Sequence, residues 1–419
     1  MGNALETPAF NDSGNQNQWV LNENRAWMSR IPDDRRLADI SIPGTHNSCA
    51  EEAHGGFVNM ARCQSKCLIH QLRLGIRFLD IRCNQFTEGP HMLTQFGIYH
   101  GIVYQHLSFG DVLRTIETFF HEQPREAIMM RIRTAEHPNM PTPDHLAQSI
   151  FNLYRHQHPN LFYDGNINAG GTTLGQVRGR IVVLQHIQLG NFTGWNECYV
   201  EDMFEAVDIE KEASITQGFN HFAAAANNHI TITFGSGCYS PIPNPNAYAR
   251  EHNPFTYNLV REFRGQGRGV GIVAVDFPGD ELIRDIINLN FIFFIVNPAS
   301  NMVLDCQNGV QGTAVILWTR HGGVNQRWII SSEGWIANGI HNRVLDCSGG
   351  GTDDGTNIIL WEWHGGPNQI FRVDRERRLL LNPNSGKVVD CRNGYNLGTV
   401  LGHLTAANTQ QWNLVWTCR

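Results

Sequence analysis

Over the first two thirds of the chain, short apolar runs alternate with longer amphipathic stretches. The apolar runs have the length and composition of strands, and they read LADISIPG, GIRFLDIRC, GIYHGIVY, AIMMRIR, GRIVVLQH, HITITFG and GIVAVDFPG. Two of the stretches between them, FGDVLRTIETFFHEQP and TPDHLAQSIFNLYRHQ, are candidate helices. This alternation predicts an α/β fold with a parallel sheet, either a barrel or an open doubly wound sheet.

The pattern changes near residue 291, where one phrase begins to recur. It occurs as NMVLDCQNG, NRVLDCSGG and GKVVDCRNG, and each copy is followed by a second phrase, NQRW, NQIF or TQQW. Each unit alternates apolar and polar residues over short stretches broken by Gly and Asn, which predicts β-hairpins. Because one such unit cannot bury its apolar face alone, the three repeats predict a closed, threefold all-β domain.

The chain has 419 residues, which is long for a single core and favours two domains. We expect an N-terminal extension over 1–24, an α/β domain over 25–288 and the all-β domain over 289–419.

Composition and charge narrow the function classes. Lys and Arg number 32 against 39 Asp and Glu, a net charge of −7, which argues against a nucleic-acid partner held through its phosphates. The longest apolar run, FIFFIV, is far shorter than the roughly 20 residues of a bilayer-spanning helix. No leader is recognisable at the N-terminus. We expect a soluble protein that at most touches a membrane surface, with a secreted or a cytoplasmic location equally open.

Ten cysteines are spread thinly, and no C-x-x-C pair occurs among them. This spacing favours small core residues over a disulfide framework or a structural zinc site.

Charged and polar side chains cluster where the predicted strands end. In a parallel barrel the carboxyl ends of the strands meet on one face, which is where reactive residues gather. Two histidines and an arginine there would supply a base, an acid and a phosphate-binding cation, which suffice to cleave a phosphodiester with an internal hydroxyl and no metal. The residues at these ends are His46, Asp80, Arg82, His100, Arg133 and Asp276.

The phrases SIPGTHNS, LGIRFLDIR, YHG and VAVDFPG, in this order, resemble the catalytic domain of phosphatidylinositol-specific phospholipase C. The resemblance covers about 25–288 and implies a TIM-like, distorted β/α barrel. It also implies cleavage of phosphatidylinositol or a glycosylphosphatidylinositol anchor to diacylglycerol and inositol 1,2-cyclic phosphate, at a membrane surface.

The resemblance assigns roles residue by residue. It implies that His46 is the general base, oriented by Asp276, and that His100 is the general acid for the diacylglycerol oxygen. Arg82 would clamp the phosphate, and Asp80 would orient Arg82 or the neighbouring imidazole.

Three further features of the resemblance concern the metal and the substrate. Calcium-dependent relatives carry carboxylates where this chain has Arg82 and Arg133, so we expect a metal-independent enzyme without a cofactor. Asn47 stands where metal-independent relatives usually carry Asp, which predicts a slowed acid step. The substrate-binding positions implied are Arg133, Asp202, Gln185 and His186, the last two replacing a basic pair.

The repeats resemble the ricin-type lectin domain, a β-trefoil. In that family an Asp and an Asn bind sugar hydroxyls while an aromatic ring stacks on the apolar face of the sugar. The resemblance implies glycan binding, with galactose-type glycans as one candidate class, at two sites: Asp305, Trp318, Asn325 and Gln326 in the first repeat, and Asp346, Trp361, Asn368 and Gln369 in the second.

Two other functions remain open from the sequence. The chain could be a carbohydrate-binding lectin whose phospholipase-like barrel is weak or inactive, since Asn47, Gln185 and His186 depart from the family pattern. Glycerophosphodiester hydrolysis fits least, because no acidic metal-ligand set stands at the predicted strand ends.

Overall fold

A computed structural model describes residues 7–12, 24–51, 61–86, 94–135, 142–167, 171–206, 208–224, 229–238, 244–331, 333–338, 343–392, 398–405 and 407–416. The chain divides into two compact units. The first comprises 1–260 and 269–287, and the second comprises 261–268 and 288–419. The predicted N-terminal extension lies largely outside the described residues.

The first unit is built on one ten-stranded sheet. Its strands are β1 (Ile42–Thr45), β2 (Phe78–Gln85), β3 (Phe96–His100), β4 (Val103–Ser108), β5 (Ile128–Thr134), β6 (Ile181–Gln185), β7 (Thr193–Gly194), β8 (Tyr199–Glu201), β9 (Thr231–Phe234) and β10 (Ile272–Val275). Eight of them follow the order β7-β6-β5-β2-β1-β10-β9-β8, and every neighbouring pair in that path is parallel. Among the described residues no pairing joins β7 to β8, so the sheet is a half-barrel, and the predicted parallel α/β class is confirmed.

Most helices of this unit lie between strands of the sheet, and the last one follows β10. They are α1 (Leu68–Leu74), α2 (Phe109–Glu122), α3 (Asp144–Gln157), α4 (Leu174–Val177), α5 (Asp208–Ala224), α6 (Pro245–Gly265), whose last residues belong to the second unit, and α7 (Asp280–Asn288). Short 3-10 turns occupy Asn24–Arg30, Leu37–Asp39 and Trp195–Glu197. None of the described helices combines the length and apolar character needed to span a membrane.

Helix α2 shows how local sequence sets a boundary. Ser108 is its N-cap: its side chain accepts the backbone N–H of Asp111, and the Asp111 carboxylate accepts the N–H of Ser108. This reciprocal pair satisfies two of the free N–H groups at the helix start. The apolar face then packs inward through Val112, Leu113, Ile116, Phe119 and Phe120.

One predicted strand is in fact a hairpin. The run GIYHGIVY contains β3 and β4, which pair antiparallel, with His100 opposite Val103. Gly101 takes a positive φ of +55°, the conformation that a two-residue hairpin turn requires. Because β1 pairs with β2 only through Phe78 and Leu79, the later part of β2 has a free edge, and β3 pairs antiparallel there.

The placement of His100 predicted from the sequence was therefore wrong in one respect. His100 does not end a parallel strand but lies at the end of β3, which runs antiparallel to β2. Because β3 runs back along β2, it returns His100 toward the end of β1, where His46 lies.

The second unit is all antiparallel. Its strands are β11 (Ile292–Asn297), β12 (Met302–Asp305), β13 (Ile316–Trp318), β14 (Trp328–Ile330), β15 (Ile336–Asn338), β16 (Arg343–Cys347), β17 (Ile358–Glu362), β18 (Arg372–Asp374), β19 (Leu379–Asn382), β20 (Lys387–Asp390), β21 (Val400–Gly402) and β22 (Asn413–Trp416). They form an eight-stranded and a four-stranded sheet. The 3-10 turns of this unit span Leu289–Phe291, Val324–Gln326, Ser348–Gly350, Pro367–Gln369 and Asn408–Gln410.

The three repeats fill one core with equivalent residues. Each VLDC or VVDC phrase contributes an aliphatic residue and a cysteine, and each second phrase contributes an aromatic ring. The indole Nε1 of Trp328 donates to the Leu304 carbonyl at 3.0 Å, and that of Trp412 donates to the Val389 carbonyl at 2.9 Å. Phe371 fills the same place in the second repeat without a donor. The threefold all-β domain predicted from the repeats is confirmed.

Candidate functional site

The centre of the first unit is the pair His46 and Asp276. Strands β1 and β10 are parallel with Thr45 opposite Val275, so the residues that follow each strand lie side by side. His46 Nδ1 and Asp276 Oδ1 are 2.9 Å apart, and both side chains are buried. Since a carboxylate can only accept at this contact, Nδ1 carries the proton and Nε2 is left as the acceptor.

Arg82 and Asp80 reach the other side of this imidazole. The Arg82 Nη2 atom donates to His46 Nε2, and its Nε lies 3.4 Å from Asp80 Oδ2. Asp80 Oδ2 also accepts the backbone N–H of Asn47 at 3.1 Å. Burial raises the pKa of Asp80, but Arg131 and Arg82 outweigh it and hold this pKa well below its usual range. Asp80 is therefore a permanent buried anion.

Arg131 is the site residue that the sequence analysis missed. Parallel pairing of β2 and β5 sets Arg131 opposite Asp80 and Arg133 opposite Arg82. Arg131 Nη1 lies 3.4 Å from Asp80 Oδ1, and the guanidinium carbon lies 4.1 Å from the centroid of the Trp195 ring. The sequence does contain a signal for Arg131. It precedes Arg133 by two residues, and alternate residues of a strand share one face.

His100 is mostly buried, and burial, together with the positive charge of Arg82, lowers its pKa to about 4. A hydrogen bond with the backbone of Ala61 and the charge of Asp80 act in the opposite direction. The interactions with Arg82, His46 and Asp80 bring His100 into the same electrostatic cluster. Without a bound anion this imidazole is neutral near pH 7.

Three predicted substrate-binding residues occupy different settings. His186 accepts a hydrogen bond at Nδ1 from Arg131 at 2.8 Å and stacks on Trp195. Asp202 is exposed and interacts electrostatically with Arg131. Gln185 instead donates to the carbonyls of residues 190 and 192 and accepts the backbone N–H of residue 189. Its carboxamide holds this loop, and its contact with substrate stays a prediction.

A buried lysine holds the segment that follows β8 and approaches His46. Lys211 Nζ donates to the carbonyls of Met203 at 3.3 Å and Ser236 at 2.7 Å. Burial lowers its pKa to about 8 against the opposing charge of Asp202. The segment carries Phe204, whose ring centroid lies 5.9 Å from that of His46.

Asn47 follows the base directly and has an unusual backbone. Its φ is +46°, a left-handed conformation that Asn tolerates better than most residues. The side chain is buried, and its Nδ2 makes no hydrogen bond to the described residues.

In the second unit, Asp305 is the hub of the first predicted sugar site. Its Oδ1 accepts from Asn325 Nδ2 at 2.8 Å, and its Oδ2 accepts from Gln326 Nε2 at 2.9 Å. His321 Nε2 lies 3.4 Å from Oδ2. Trp318, on the neighbouring strand β13, is partly buried.

The second predicted site repeats this arrangement. Asp346 Oδ2 accepts from Asn368 at 2.9 Å and from Gln369 at 2.8 Å, and His364 Nε2 lies 3.5 Å away. The Trp361 side chain is 37% exposed and available for stacking.

The two glutamines differ from the other predicted sugar ligands. Gln326 and Gln369 have no exposed surface, and each also donates to a carbonyl of the preceding strand region. Each therefore holds the Asp of its site in place, and their part in glycan binding stays a prediction. The nearby histidines, missed in the sequence, are marked by the repeated letters HGG in both units.

The third repeat lacks the Asn and the tryptophan that accompany the Asp in the other two. Asp390 keeps its hydrogen bond from Gln410 at 2.9 Å, but His403 pairs with Asp354 at 3.2 Å instead. Thr409 stands where the other repeats have Asn.

Each of the two units contains a stretch that matches a known protein family. Residues 40–186 match the family "phosphatidylinositol-specific phospholipase C, X domain", and residues 291–412 match the "ricin-type beta-trefoil lectin domain".

Individual relatives match the first part of the chain. A 1-phosphatidylinositol phosphodiesterase of Listeria monocytogenes is 29% identical over 291 residues, covering 64% of this chain and 85% of the relative. One of Staphylococcus aureus is 29% identical over 165 residues, which is 38% of this chain and 50% of that protein.

Solved structures give the same result. The phosphatidylinositol-specific phospholipase C of Listeria monocytogenes superposes with a TM-score of 0.55 at 27% identity, over 64% of this chain and 98% of that one. A double mutant of the Staphylococcus aureus protein, at 21% identity, shares the fold with a TM-score of 0.55, over 64% of this chain and 97% of that one. The chain thus joins a phosphatidylinositol-specific phospholipase C X domain, homologous to the bacterial proteins, to a C-terminal ricin-type lectin domain.

Proposed function

We propose that residues 25–288 form a metal-independent phosphodiesterase of the phospholipase C type and that residues 289–419 direct it to glycans. The substrate would be phosphatidylinositol or a glycosylphosphatidylinositol, and the products diacylglycerol and inositol 1,2-cyclic phosphate. The observation that carries this proposal is the contact set of one imidazole: Asp276 at Nδ1 of His46 and Arg82 at Nε2.

In the first step, His46 Nε2 takes the proton of the inositol 2-hydroxyl, whose oxygen attacks phosphorus. Asp276 holds the required tautomer and stabilises the imidazolium that forms. Arg82 donates to Nε2 when no substrate is bound. A phosphate oxygen competes for that guanidinium, because a charge-assisted contact with an anion is stronger than one with a neutral ring. Substrate binding thereby frees the base.

In the second part of the reaction, His100 gives a proton to the departing diacylglycerol oxygen. Its pKa of about 4 is too low for an acid that works near neutral pH. The negative phosphodiester raises this pKa when it binds, because an adjacent anion favours the imidazolium. Asn47 can donate a hydrogen bond to the same oxygen but cannot transfer a proton.

The cations around Asp80 support the absence of a catalytic metal. Arg82, Arg131 and Arg133 all influence its ionisation, and a divalent ion at their end of the cleft would meet three permanent positive charges. Arg82 would supply the phosphate stabilisation that calcium gives elsewhere. Arg133 and Asp202 remain the proposed contacts to the inositol ring or phosphate.

The lectin sites would raise the local concentration of the phosphodiesterase at glycan-bearing membranes. Two sites on one chain increase binding through effective concentration without any new contact. Galactose-type glycans are one candidate class, recognised through Asp305 and Asp346 with Trp318 and Trp361.

The test is release of diacylglycerol from phosphatidylinositol vesicles in excess EDTA, with identification of the phosphate product. We expect turnover by the wild type, its loss in His46→Ala, and unchanged turnover in His156→Ala, which alters an exposed histidine on α3. Equal turnover by His46→Ala would contradict the mechanism. Absence of wild-type turnover together with glycan binding would favour a lectin with an inactive barrel.

A further inference from the structure

A third side chain lies beside the pair His46 and Asp276. One ligand atom each of His46, Cys63 and Asp276 lies within 4.8 Å of the others, and all three residues are buried. Asp276 Oδ2 is buried, and the Cys63 thiol lies within hydrogen-bonding reach of the Asp276 carboxylate. Burial, and then the charge of Asp276, raise the pKa of the Cys63 thiol well above its usual range. The proposed phosphodiesterase mechanism gives Cys63 no role.

An imidazole nitrogen, a thiol sulfur and a carboxylate oxygen together form a donor set typical of zinc sites. We propose that His46, Cys63 and Asp276 form a binding site for a zinc-like transition-metal ion and that its occupation switches off the phosphodiesterase. The inhibitory part of this proposal rests on the proposed function, whereas the binding part does not.

The geometry is close to that of a zinc site. Tetrahedral bonds of 2.0 to 2.3 Å place ligand atoms about 3.3 to 3.7 Å apart. The cluster spans at most 4.8 Å, and His46 Nδ1 lies 2.9 Å from Asp276 Oδ1. Side-chain shifts of about 1 Å would close the site on an ion, and water would occupy the fourth position.

The charge balance also favours binding at this side of the ring. Arg82 contacts Nε2, whereas Nδ1 faces Asp276. Binding of M²⁺ releases one proton from the Cys63 thiol, so that thiolate and carboxylate together cancel the charge of the ion. A calcium ion, which prefers oxygen ligands, would gain little from a thiolate and an imidazole.

The ion would inhibit by changing the tautomer of the base. In the metal-free protein the proton is on Nδ1, facing Asp276, and Nε2 accepts. A metal on Nδ1 shifts that proton to Nε2, so Nε2 no longer accepts from Arg82, whose guanidinium has to turn away. Nε2 then carries a proton and can no longer take one from the inositol hydroxyl. Asp276 is simultaneously withdrawn from the imidazole.

Binding can be measured without any activity. The full-length protein would be titrated with Co²⁺, whose bond to a thiolate gives a near-ultraviolet charge-transfer band, and the bound Co²⁺ would be displaced with Zn²⁺. We expect one ion per chain, a band that Cys63→Ser abolishes, and an unchanged band in Cys67→Ser. Cys67 is the matched control because its Sγ lies 2.8 Å from His70 Nδ1, so it is a second thiol beside an imidazole. A missing band in the wild type, or one that survives Cys63→Ser, would overturn the site.

Inhibition is measured on the same three proteins with phosphatidylinositol vesicles. Zn²⁺ should reduce wild-type and Cys67→Ser turnover at least tenfold, reversibly with EDTA, and Cys63→Ser should need at least tenfold more Zn²⁺ for the same inhibition. Normal turnover of a wild-type protein carrying bound Zn²⁺ would overturn the switch. A wild type inactive even in EDTA would contradict the proposed function instead, while the cobalt spectrum would still decide the site.

Discussion

The backbone N–H of Asn47 donates to Asp80 Oδ2 at 3.1 Å, which ties the residue after the base to the anion at the centre of the arginine cluster. Asn47 holds a positive φ, and its buried Nδ2 has no hydrogen-bond partner among the described residues. The backbone of Asn47 is thus held by Asp80, and its Nδ2 can donate to a ligand.

Replacing Asn47 with Asp should speed the acid step. A carboxyl group can pass a proton to the leaving group or assist His100, so we expect kcat to rise by about tenfold. The added buried carboxyl should also lower the thermal unfolding midpoint. Asn84→Asp is the control, because Asn84 is equally buried but donates to the Ala135 carbonyl. Equal kcat in wild type and Asn47→Asp would contradict the slowed acid step.

The pH dependence of kcat should differ from that of kcat/KM, because the pKa of His100 differs between the enzyme–substrate complex and the free enzyme. His100 has a pKa of about 4 in the unliganded site, and the bound phosphodiester raises it. Activity is lost as His100 deprotonates, which gives the high-pH limb of the profile. This limb should lie at higher pH in kcat, which reports the complex, than in kcat/KM, which reports free enzyme. His100→Gln should remove the limb from both profiles. Coincident limbs would show that His100 does not respond to the phosphate.

Asp80 should contribute strongly to stability near neutral pH. Asp80→Asn removes the carboxylate that balances the charge of two buried guanidinium groups, those of Arg82 and Arg131, so we expect a loss of about 3–5 kcal/mol in the free energy of unfolding. Because the folded pKa is depressed, the contribution is fully present above the unfolded pKa of about 3.9 and is lost progressively as pH falls from there toward the folded pKa. The difference between the two proteins in denaturant unfolding should therefore shrink between pH 5 and pH 3.

The control for this experiment is Asp33→Asn. The pKa of Asp33 is also lowered, by a hydrogen bond from Arg178, but the side chain is 57% exposed. An exposed pair of this kind contributes about 0–1 kcal/mol. A loss for Asp80→Asn no larger than that for Asp33→Asn would argue against a stabilising anion.

Glycan binding should depend on two of the three repeats. Asp305→Asn and Asp346→Asn each replace a carboxylate by a weaker acceptor, so each should weaken its site about 10- to 100-fold, and the double variant should lose avidity. Asp390→Asn, in the repeat that lacks the aromatic and the Asn, should leave binding unchanged. Calorimetry with galactose-type oligosaccharides, or a glycan array, gives the measurement. Equal loss in all three variants would indicate a general effect on folding.

Exposed apolar side chains near the proposed site should contact the membrane. Ile209 is 80% exposed, and Ile102 and Met203 are 56% and 46% exposed. Ile102 follows His100 by two residues, and Met203 precedes Phe204. Ile209→Ser should weaken partition to phosphatidylinositol vesicles about fivefold, equivalent to burial of part of one side chain. Leu153→Ser, at a 43% exposed position on α3, is the control in a sedimentation assay, and an equal effect there would contradict a local contact.

The sequence by itself determined the two-part architecture and named most residues of the candidate site. The spacing of apolar runs sets strand and helix class because each element must bury one face, and the threefold phrase recurs because each repeat supplies the same core residues. His46 and Asp276 directly follow β1 and β10, and Arg82 lies within β2. Parallel pairing of these three strands brings the side chains together.

Only the tertiary structure decided which neighbours these residues have. Arg131 meets Asp80 through the register of β2 and β5, and register depends on packing along the whole sheet. Cys63 reaches Asp276 across more than two hundred residues of sequence, a contact that no local pattern encodes. The turn at Gly101 makes His100 part of a hairpin. The first strand of that hairpin can pair with β2 because β1 leaves the later edge of β2 unpaired. Local sequence encodes the elements, and the proximity of distant side chains follows from how those elements pack.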